Sequence, residues 1–98
     1  ERISMSYRLS GSGLYNAHHQ LVAKAKGESL FDRDNRRVGF IKGNTLFDPE
    51  DRKMMSVRGS KIYDASNKRV ASVSEVKKTI QGAAEEMMST AMWYCFIR

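Results

Sequence analysis

The sequence predicts a mostly β domain of four 16-residue β-hairpin repeats, arranged as an antiparallel meander with pseudo-four-fold symmetry. Three observations predict it. An aliphatic and an aromatic residue recur side by side every 16 residues, glycine-first dipeptides link the copies, and the periodicity changes after the fourth copy. An N-terminal strand precedes the repeats, and one C-terminal helix and a final apolar strand follow over residues 77–98. We expect a single domain over residues 1–98, with repeats at 13–28, 29–44, 45–60 and 61–76.

The composition is that of a globular protein. Of 98 residues, 41% are hydrophobic and 29% charged, and no apolar run has the length of a membrane span. The net charge of +6 is spread thinly along the chain, which disfavours nucleic acid as a partner, and Glu85 and Glu86 disfavour contact with an anionic membrane. The single cysteine, Cys95, excludes an intrachain disulfide framework. Glu1 is not an initiator, so a removed leader would indicate an extracytoplasmic protein, whereas Met5 as native start leaves the compartment open.

The strands have period-two signals. Residues 1–12 alternate strictly and predict a half-buried strand, with one face formed by Ile3, Met5, Tyr7 and Leu9. In each copy the second position is aliphatic and the third aromatic, so the two point to opposite sides of the sheet. These pairs are Leu14-Tyr15, Leu30-Phe31, Leu46-Phe47 and Ile62-Tyr63. The eleventh position is mostly small (Ala23, Gly39 and Ala71, with Met55 as the exception), which favours a closed or nearly closed arrangement around a shared axis.

Two kinds of turn join these strands. In the first, an aspartate or asparagine stands at the first turn position, where its side chain accepts from the backbone, as Asp48 does before Pro49. The fourth position of this turn needs a residue that tolerates a left-handed backbone, as in a type I turn followed by a bulge. It is occupied by His19, Asn35, Asp51 and Asn67. The second kind is a type II′ hairpin turn, predicted at Gly27-Glu28, Gly43-Asn44 and Gly59-Ser60.

The pattern changes to a helical one after Val73. Ser72 and Glu75 have the spacing of a capping box, so a helix is expected to begin there. Its apolar stripe continues to Ala91, and Gly82 weakens the middle and could divide the segment in two. The last apolar run, residues 91–97, predicts a buried strand that pairs with the N-terminal strand and closes the structure.

The repeats and tail resemble the four-fold beta-flower proteins, small bacterial domains in which hairpins surround a pseudo-four-fold axis. The resemblance is carried by the triplets Leu30-Phe31-Asp32, Leu46-Phe47-Asp48 and Ile62-Tyr63-Asp64, by the glycine links, by residues 68–78 and by residues 91–94. It implies the hairpin-repeat fold. It implies no established function, and therefore no catalytic residues that could be carried over.

Folding alone explains several polar features of the sequence. The turn Asp32 to Asn35 lacks the spaced ligands of a calcium loop, and His18-His19 occupies positions filled elsewhere by ordinary turn formers. Cys95 lies in an apolar run and is expected to behave as a small hydrophobe. We therefore predict no catalytic, cofactor-binding or metal-binding residues and no cofactor.

The sequence favours a non-enzymatic structural or interaction domain, with a homo-oligomer and an unidentified protein as its candidate partners. Self-association is predicted through an apolar cluster of Met87, Met88, Met92 and Trp93. The alternative is a module that binds an anionic ligand, because the eighth and ninth positions of three copies are cationic and symmetry would arrange them in a ring. These residues are Arg36, Arg37, Arg52, Lys53, Lys68 and Arg69, and Gln20-Leu21 interrupts the ring in the first copy.

Overall fold

A computed structural model describes residues 7–82 and 86–97 of the chain. Within these residues ten strands form one sheet, accompanied by two short helices and a π-helical segment at Trp93–Ile97. The strands are β1 (Tyr7–Ser10), β2 (Gly13–Tyr15), β3 (Leu21–Lys26), β4 (Ser29–Asp32), β5 (Arg37–Lys42), β6 (Thr45–Phe47), β7 (Lys53–Arg58), β8 (Lys61–Asp64), β9 (Arg69–Ser72) and β10 (Ile80–Gln81). The helices are α1 (Val73–Thr79) and α2 (Glu86–Met92). None of the helices in these two ranges is long and apolar enough to span a membrane.

The predicted antiparallel meander is confirmed. Strands β1 to β9 lie side by side in chain order, and each pairs antiparallel with the next. The predicted N-terminal strand is described from Tyr7 onward; the remainder of its predicted span, residues 1–6, lies outside the described residues. The sheet is completed by β10, which lies on the other side of β1 and runs parallel to it.

The turn residues adopt the backbone geometry that their chemistry predicts. The fourth position of each aspartate-type turn is left-handed, with φ of 63° at His19, 68° at Asn35, 71° at Asp51 and 69° at Asn67. A register shift follows in each copy, at the aliphatic–aromatic pair, as a type I turn with a bulge requires. The hairpin glycines also have positive φ, and the residues after them do not, as in a type II′ turn.

The number of repeated units differs from the sequence prediction. The aliphatic second-position residue faces the eleventh position of the next strand in all four copies, namely Leu14–Ala23, Leu30–Gly39, Leu46–Met55 and Ile62–Ala71. Within the described ranges, a fifth such pair joins Ile80 of β10 to Tyr7 of β1. Tyr7 precedes Ala23 by one repeat length, so β1 is the second strand of a fifth unit whose first strand comes from the C-terminal region.

The aliphatic residues of these five pairs form the centre of the core. Leu14, Leu30, Leu46 and Ile62 are fully buried and Ile80 is 1% exposed. Val76 of α1 and Ala91 and Met92 of α2 belong to the same cluster, so the helices cover this side of the sheet, here called the inner face. The third-position aromatic residues alternate with the aliphatic ones and lie half-buried on the opposite, outer face.

Helix α1 links the two edges of the sheet. It follows β9 directly, contacts it, and leads into β10 at the far edge. The helix begins at Val73, as the Ser72–Glu75 spacing predicts and four residues before the predicted range of 77–98, but Ser72 makes no side-chain capping bond to the backbone. Its hydroxyl donates instead to the carboxylate of Glu75 at 3.2 Å.

The predicted single C-terminal helix and final strand are wrong. Within the described ranges two α-helices are present, and the two-residue strand β10 lies between them. Gly82 follows that strand with φ of +79°, so the segment divides near the glycine that the sequence indicated as its weak point. Residues 93–97 continue α2 as a π-helical segment and form no strand. The place beside β1 that the final strand was expected to take is occupied by Ile80–Gln81, whose aliphatic residue completes the inner face.

Candidate functional site

The six basic residues predicted as an anion-binding ring are all exposed, and they lie at the aspartate-turn ends of the repeats. Arg37, Lys53 and Arg69 are the first residues of β5, β7 and β9, and Arg36, Arg52 and Lys68 directly precede them. Each of the latter three takes part in a turn hydrogen bond, because its backbone N–H donates to the side chain of the first turn residue.

Carboxylates in the same turns compensate two of these cations. The guanidinium of Arg52 lies 3.1 Å from Asp48 and 3.2 Å from Glu50, and that of Arg36 lies 3.7 Å from Asp34. The backbone N–H of Arg52, joined by its guanidinium, lowers the pKa of Asp48, and Asp48 in turn raises the pKa of Arg52. Exposed pairs of this kind contribute little stability, but they reduce the positive field that Arg36 and Arg52 present.

A second set of cations lies over the aromatic rings of the outer face. The ammonium groups of Lys26 and Lys42 lie 5.8 Å from the ring centres of Phe31 and Phe47. The guanidinium of Arg58 lies 4.1 Å from the ring of Tyr63. Each cation occupies the fourteenth position of one copy and its ring the third position of the next, so the same contact recurs three times in the described ranges. Such cation–π contacts hold a flexible side chain in place while leaving its N–H donors toward solvent.

The sequence analysis did not identify this set, because each cation and its ring belong to adjacent copies and lie together only when the strands pair. The signal was present: Lys26, Lys42 and Arg58 each precede an aromatic residue by five positions. A further contact joins the predicted ring to the same face, since the guanidinium of Arg37 lies 4.7 Å from the centre of Phe40. Phe40 stacks on Phe47 with ring centres 5.5 Å apart.

The first copy differs from the others in its turn. Asn16 replaces the aspartate and accepts the same backbone hydrogen bonds, from His18 at 2.9 Å and Gln20 at 3.0 Å. Its amide donates to the side chain of Gln20 at 3.0 Å, where the third copy has the Asp48–Arg52 ion pair. Both charges of that pair are therefore absent from the first copy, while the geometry of the turn is kept. His18 and His19 are exposed in this turn.

The apolar cluster predicted for self-association divides into two parts. Met92 is fully buried, so it belongs to the core of the single chain. Met87, Met88 and Trp93 are half-buried, as are all five residues of the π-helical segment, including Cys95. Met88 also borders a cavity of about 400 Å³ at the glycine-turn end, together with Leu9, Ala25 and Gly82.

Comparison with known proteins identifies the family. The family model described as "5-fold beta-flower protein" matches residues 2–96. Comparison with curated proteins and with solved structures found no match. The predicted resemblance to beta-flower proteins is thus confirmed, but the predicted repeat number of four is wrong, because the fifth unit is divided between β1 and β10 and leaves no contiguous copy in the sequence. The chain belongs to the 5-fold beta-flower protein family.

Proposed function

We propose that this protein is a non-enzymatic interaction domain that binds an anionic partner through the outer face of its sheet. One observation carries the proposal: Lys26, Lys42 and Arg58 lie over aromatic rings in the same way in successive copies. A contact that recurs at the repeat period distributes similar cationic groups around one face of the molecule.

The arrangement favours binding of anions for a physical reason. A lysine or arginine side chain that is free in solution loses rotational freedom when it binds, and holding it on a ring reduces that loss beforehand. Arg37 is held in addition by a hydrogen bond from its Nε to the hydroxyl of Ser29 at 3.3 Å. The nearby aspartates point into their own turns, where Asp32 and Asp48 accept backbone N–H groups, so they are arranged for folding.

The test is retention on immobilised heparin, a polyanion, across a salt gradient. We expect retention at low salt, and earlier elution for the triple variant Lys26→Gln, Lys42→Gln and Arg58→Gln. The control variant removes the same number of charges from other exposed sites, at Arg33, Lys77 and Lys78. Equal losses in the two variants would mean that net charge alone is responsible, and absence of retention at low salt would overturn the proposal.

Self-association is the second candidate function, and it rests on the π-helical segment. Five consecutive apolar or weakly polar residues, Trp93–Ile97, remain half-buried beside Met87 and Met88, a composition typical of protein interfaces. Light scattering after size-exclusion chromatography should show a dimer that Met88→Glu converts to monomer. The matched control is Val70→Glu, at an exposed apolar residue on β9. A wild-type monomer at about 100 µM, well above the Kd of a specific dimer, would exclude the hypothesis.

A further inference from the structure

A small pocket lies at the seam, the place where β10 is inserted beside β1. Its volume is about 220 Å³, and it is bordered by Tyr7, Arg8, Tyr15, Asn16, His19 and Gln81. We call it the seam pocket. Pockets for drug-sized ligands begin at about 300 Å³, so this volume suits a smaller molecule, of the size of a single sugar ring.

The pocket exists because the fifth unit is built differently from the other four. In those units an aromatic residue and an aspartate-type turn follow the buried aliphatic residue. In the fifth unit Ile80 is followed by Gln81, and β10 reaches β1 from α1 rather than through a turn. The seam therefore has the smaller Gln81 where the other units have an aromatic ring.

The sheet register brings three side chains with complementary chemistry together. Arg8 faces Gln81 across one strand boundary and Tyr15 across the other, so these residues form one row. The row combines a planar cation, an amide and a phenol. Guanidinium groups recognise carboxylates and phosphates through paired hydrogen bonds, and amide and phenol groups exchange hydrogen bonds with hydroxyls.

The ring of Tyr15 packs against the backbone of Gly13, which has no side chain to displace it. A Cβ atom at Gly13 would lie 3.0 Å from Cε1 and 3.1 Å from the hydroxyl of Tyr15, so the ring lies directly on the backbone there. The corresponding residues of the other copies, Ser29, Thr45 and Lys61, carry side chains. Only the copy next to the seam has a glycine at this position.

Among the described residues that border the seam pocket, Arg8 carries a positive charge and no residue carries a negative one. No carboxylate of the described residues lies within ion-pair distance of Arg8, whose side chain is exposed. The neighbouring turn carries Asn16 where the other copies carry aspartate, and none of the described residues that border the pocket is acidic. The imidazole of His19 adds a further polar group at its rim.

We propose that the seam pocket binds a small anionic polyol, namely a sugar acid or a sugar phosphate. Arg8 holds the anionic group, and Tyr15, Gln81 and His19 hydrogen-bond the hydroxyls. This site differs in position and ligand from the outer-face cations, so it neither requires nor explains retention on heparin.

Titration calorimetry with glucuronate, glucose 6-phosphate, glucose and inorganic phosphate tests the proposal in 150 mM salt. Binding of glucuronate alone assigns the carboxylate class, and binding of glucose 6-phosphate alone assigns the phosphate class. Both results support the proposal. It is overturned if neither binds at 10 mM, if glucose binds as well as its charged derivatives, or if inorganic phosphate binds as well as glucose 6-phosphate.

Two variants tie binding to the pocket. Arg8→Gln should weaken binding about ten-fold to a hundred-fold, because it removes a charge-assisted pair of hydrogen bonds. Gly13→Ser should weaken it by displacing the Tyr15 ring. The charge control Arg33→Gln and the outer-face triple variant should bind as the wild type does, and far-UV circular dichroism verifies folding. Unchanged affinity in a folded Arg8→Gln protein would overturn the assignment.

Discussion

Replacing Gly39 by alanine tests how closely adjacent repeat units must approach. Gly39 is buried in β5 and pairs with Leu30. An added Cβ would lie 2.7 Å from the carbonyl oxygen of Phe47 and 3.3 Å from a methyl group of Leu46. Ordinary contact begins at 3.4 Å, so the carbonyl would have to move by about 0.7 Å (3.4 minus 2.7), and it belongs to the backbone of β6.

The expected loss of stability follows from two opposing effects. Overpacking of this kind destabilises by about 1–3 kcal/mol, whereas alanine restricts the unfolded chain and stabilises by about 0.4–1 kcal/mol. The difference between these ranges is about 0–2.6 kcal/mol, and we expect a net loss in its middle part, about 1–2 kcal/mol, because the clash is with a backbone atom. In a domain of this size each kcal/mol lowers the melting temperature by about 4–8 °C, so Gly39→Ala should melt roughly 4–16 °C lower.

Urea unfolding, monitored by circular dichroism, measures the change in the free energy of unfolding. The control is Gly27, a glycine that has positive φ and open space around it. Gly27 has φ of +61° and nothing within 4 Å of its added Cβ, so Gly27→Ala meets backbone strain and no clash. Asparagine tolerates that backbone, so Gly27→Asn should recover much of the loss, whereas Gly39→Asn should be worse than Gly39→Ala. If Gly39→Ala were as stable as the wild type, the close approach of β5 to β6 would not constrain the fold.

Three further predictions concern single side chains. Asp32→Ala should lose about 1 kcal/mol of stability, because the backbone N–H groups of Asp34 and Arg36 would lose the acceptor that lies 2.9 Å away. Asp32→Asn keeps an acceptor and should be nearly neutral. Equal losses of the two variants in urea unfolding would contradict this reasoning. The pKa of Asp48 is lowered below its ordinary 3.8 in the folded protein, so the stability that its carboxylate contributes is present above pH 3.8 and is lost as the pH falls through the folded pKa. Asp48→Asn should therefore reduce the loss of stability at acid pH, and an unchanged loss would contradict this role of Asp48. The hydroxyl of Thr90 is fully buried without a hydrogen-bond partner among the described residues, so Thr90→Val should raise the free energy of unfolding by about 1 kcal/mol while Thr90→Ser should not.

The parts of the fold that were predictable from the sequence are those that local chemistry determines. A left-handed position strongly restricts the residue type, so the turn positions of Asn35 and Gly43 were identifiable without knowledge of the rest of the fold. The alternation of Leu30 and Phe31 likewise assigned the two faces of the sheet, because neighbouring strand residues must point apart. These signals depend on a few adjacent residues.

The fifth unit escaped prediction because its two halves are distant in the chain. Its second strand was visible: Tyr7, Leu9 and Gly11 precede Ala23, Ala25 and Gly27 by one repeat length each. Its first strand has two residues, and no turn connects it to β1. Such a parallel pair leaves no signal in the neighbouring sequence, because its register depends on where the end of α1 places Ile80 beside β1.

The apolar tail was misassigned because composition does not fix the backbone of a short apolar run. Residues 93–97 have strong strand propensity, yet they follow α2 without a breaking residue, and β10 already occupies the place beside β1. Tertiary context therefore determines the outcome.

The seam pocket lies where a unit departs from the repeat without loss of folding geometry. Asn16 and Gln20 keep the hydrogen bonds that Asp48 and Arg52 make, so the exchange removes two charges while the turn is retained. A sequence that only needed to fold could use the same turn in every copy, as the other three nearly do. The exchange lies beside the one unit that has no aromatic residue directly after its buried aliphatic residue, and it leaves Arg8 as the charged group among the described residues that border the seam pocket. Restoring the charges with Asn16→Asp and Gln20→Arg should therefore preserve stability and weaken binding of the anionic sugar, a combination that a purely structural role for these residues would not produce.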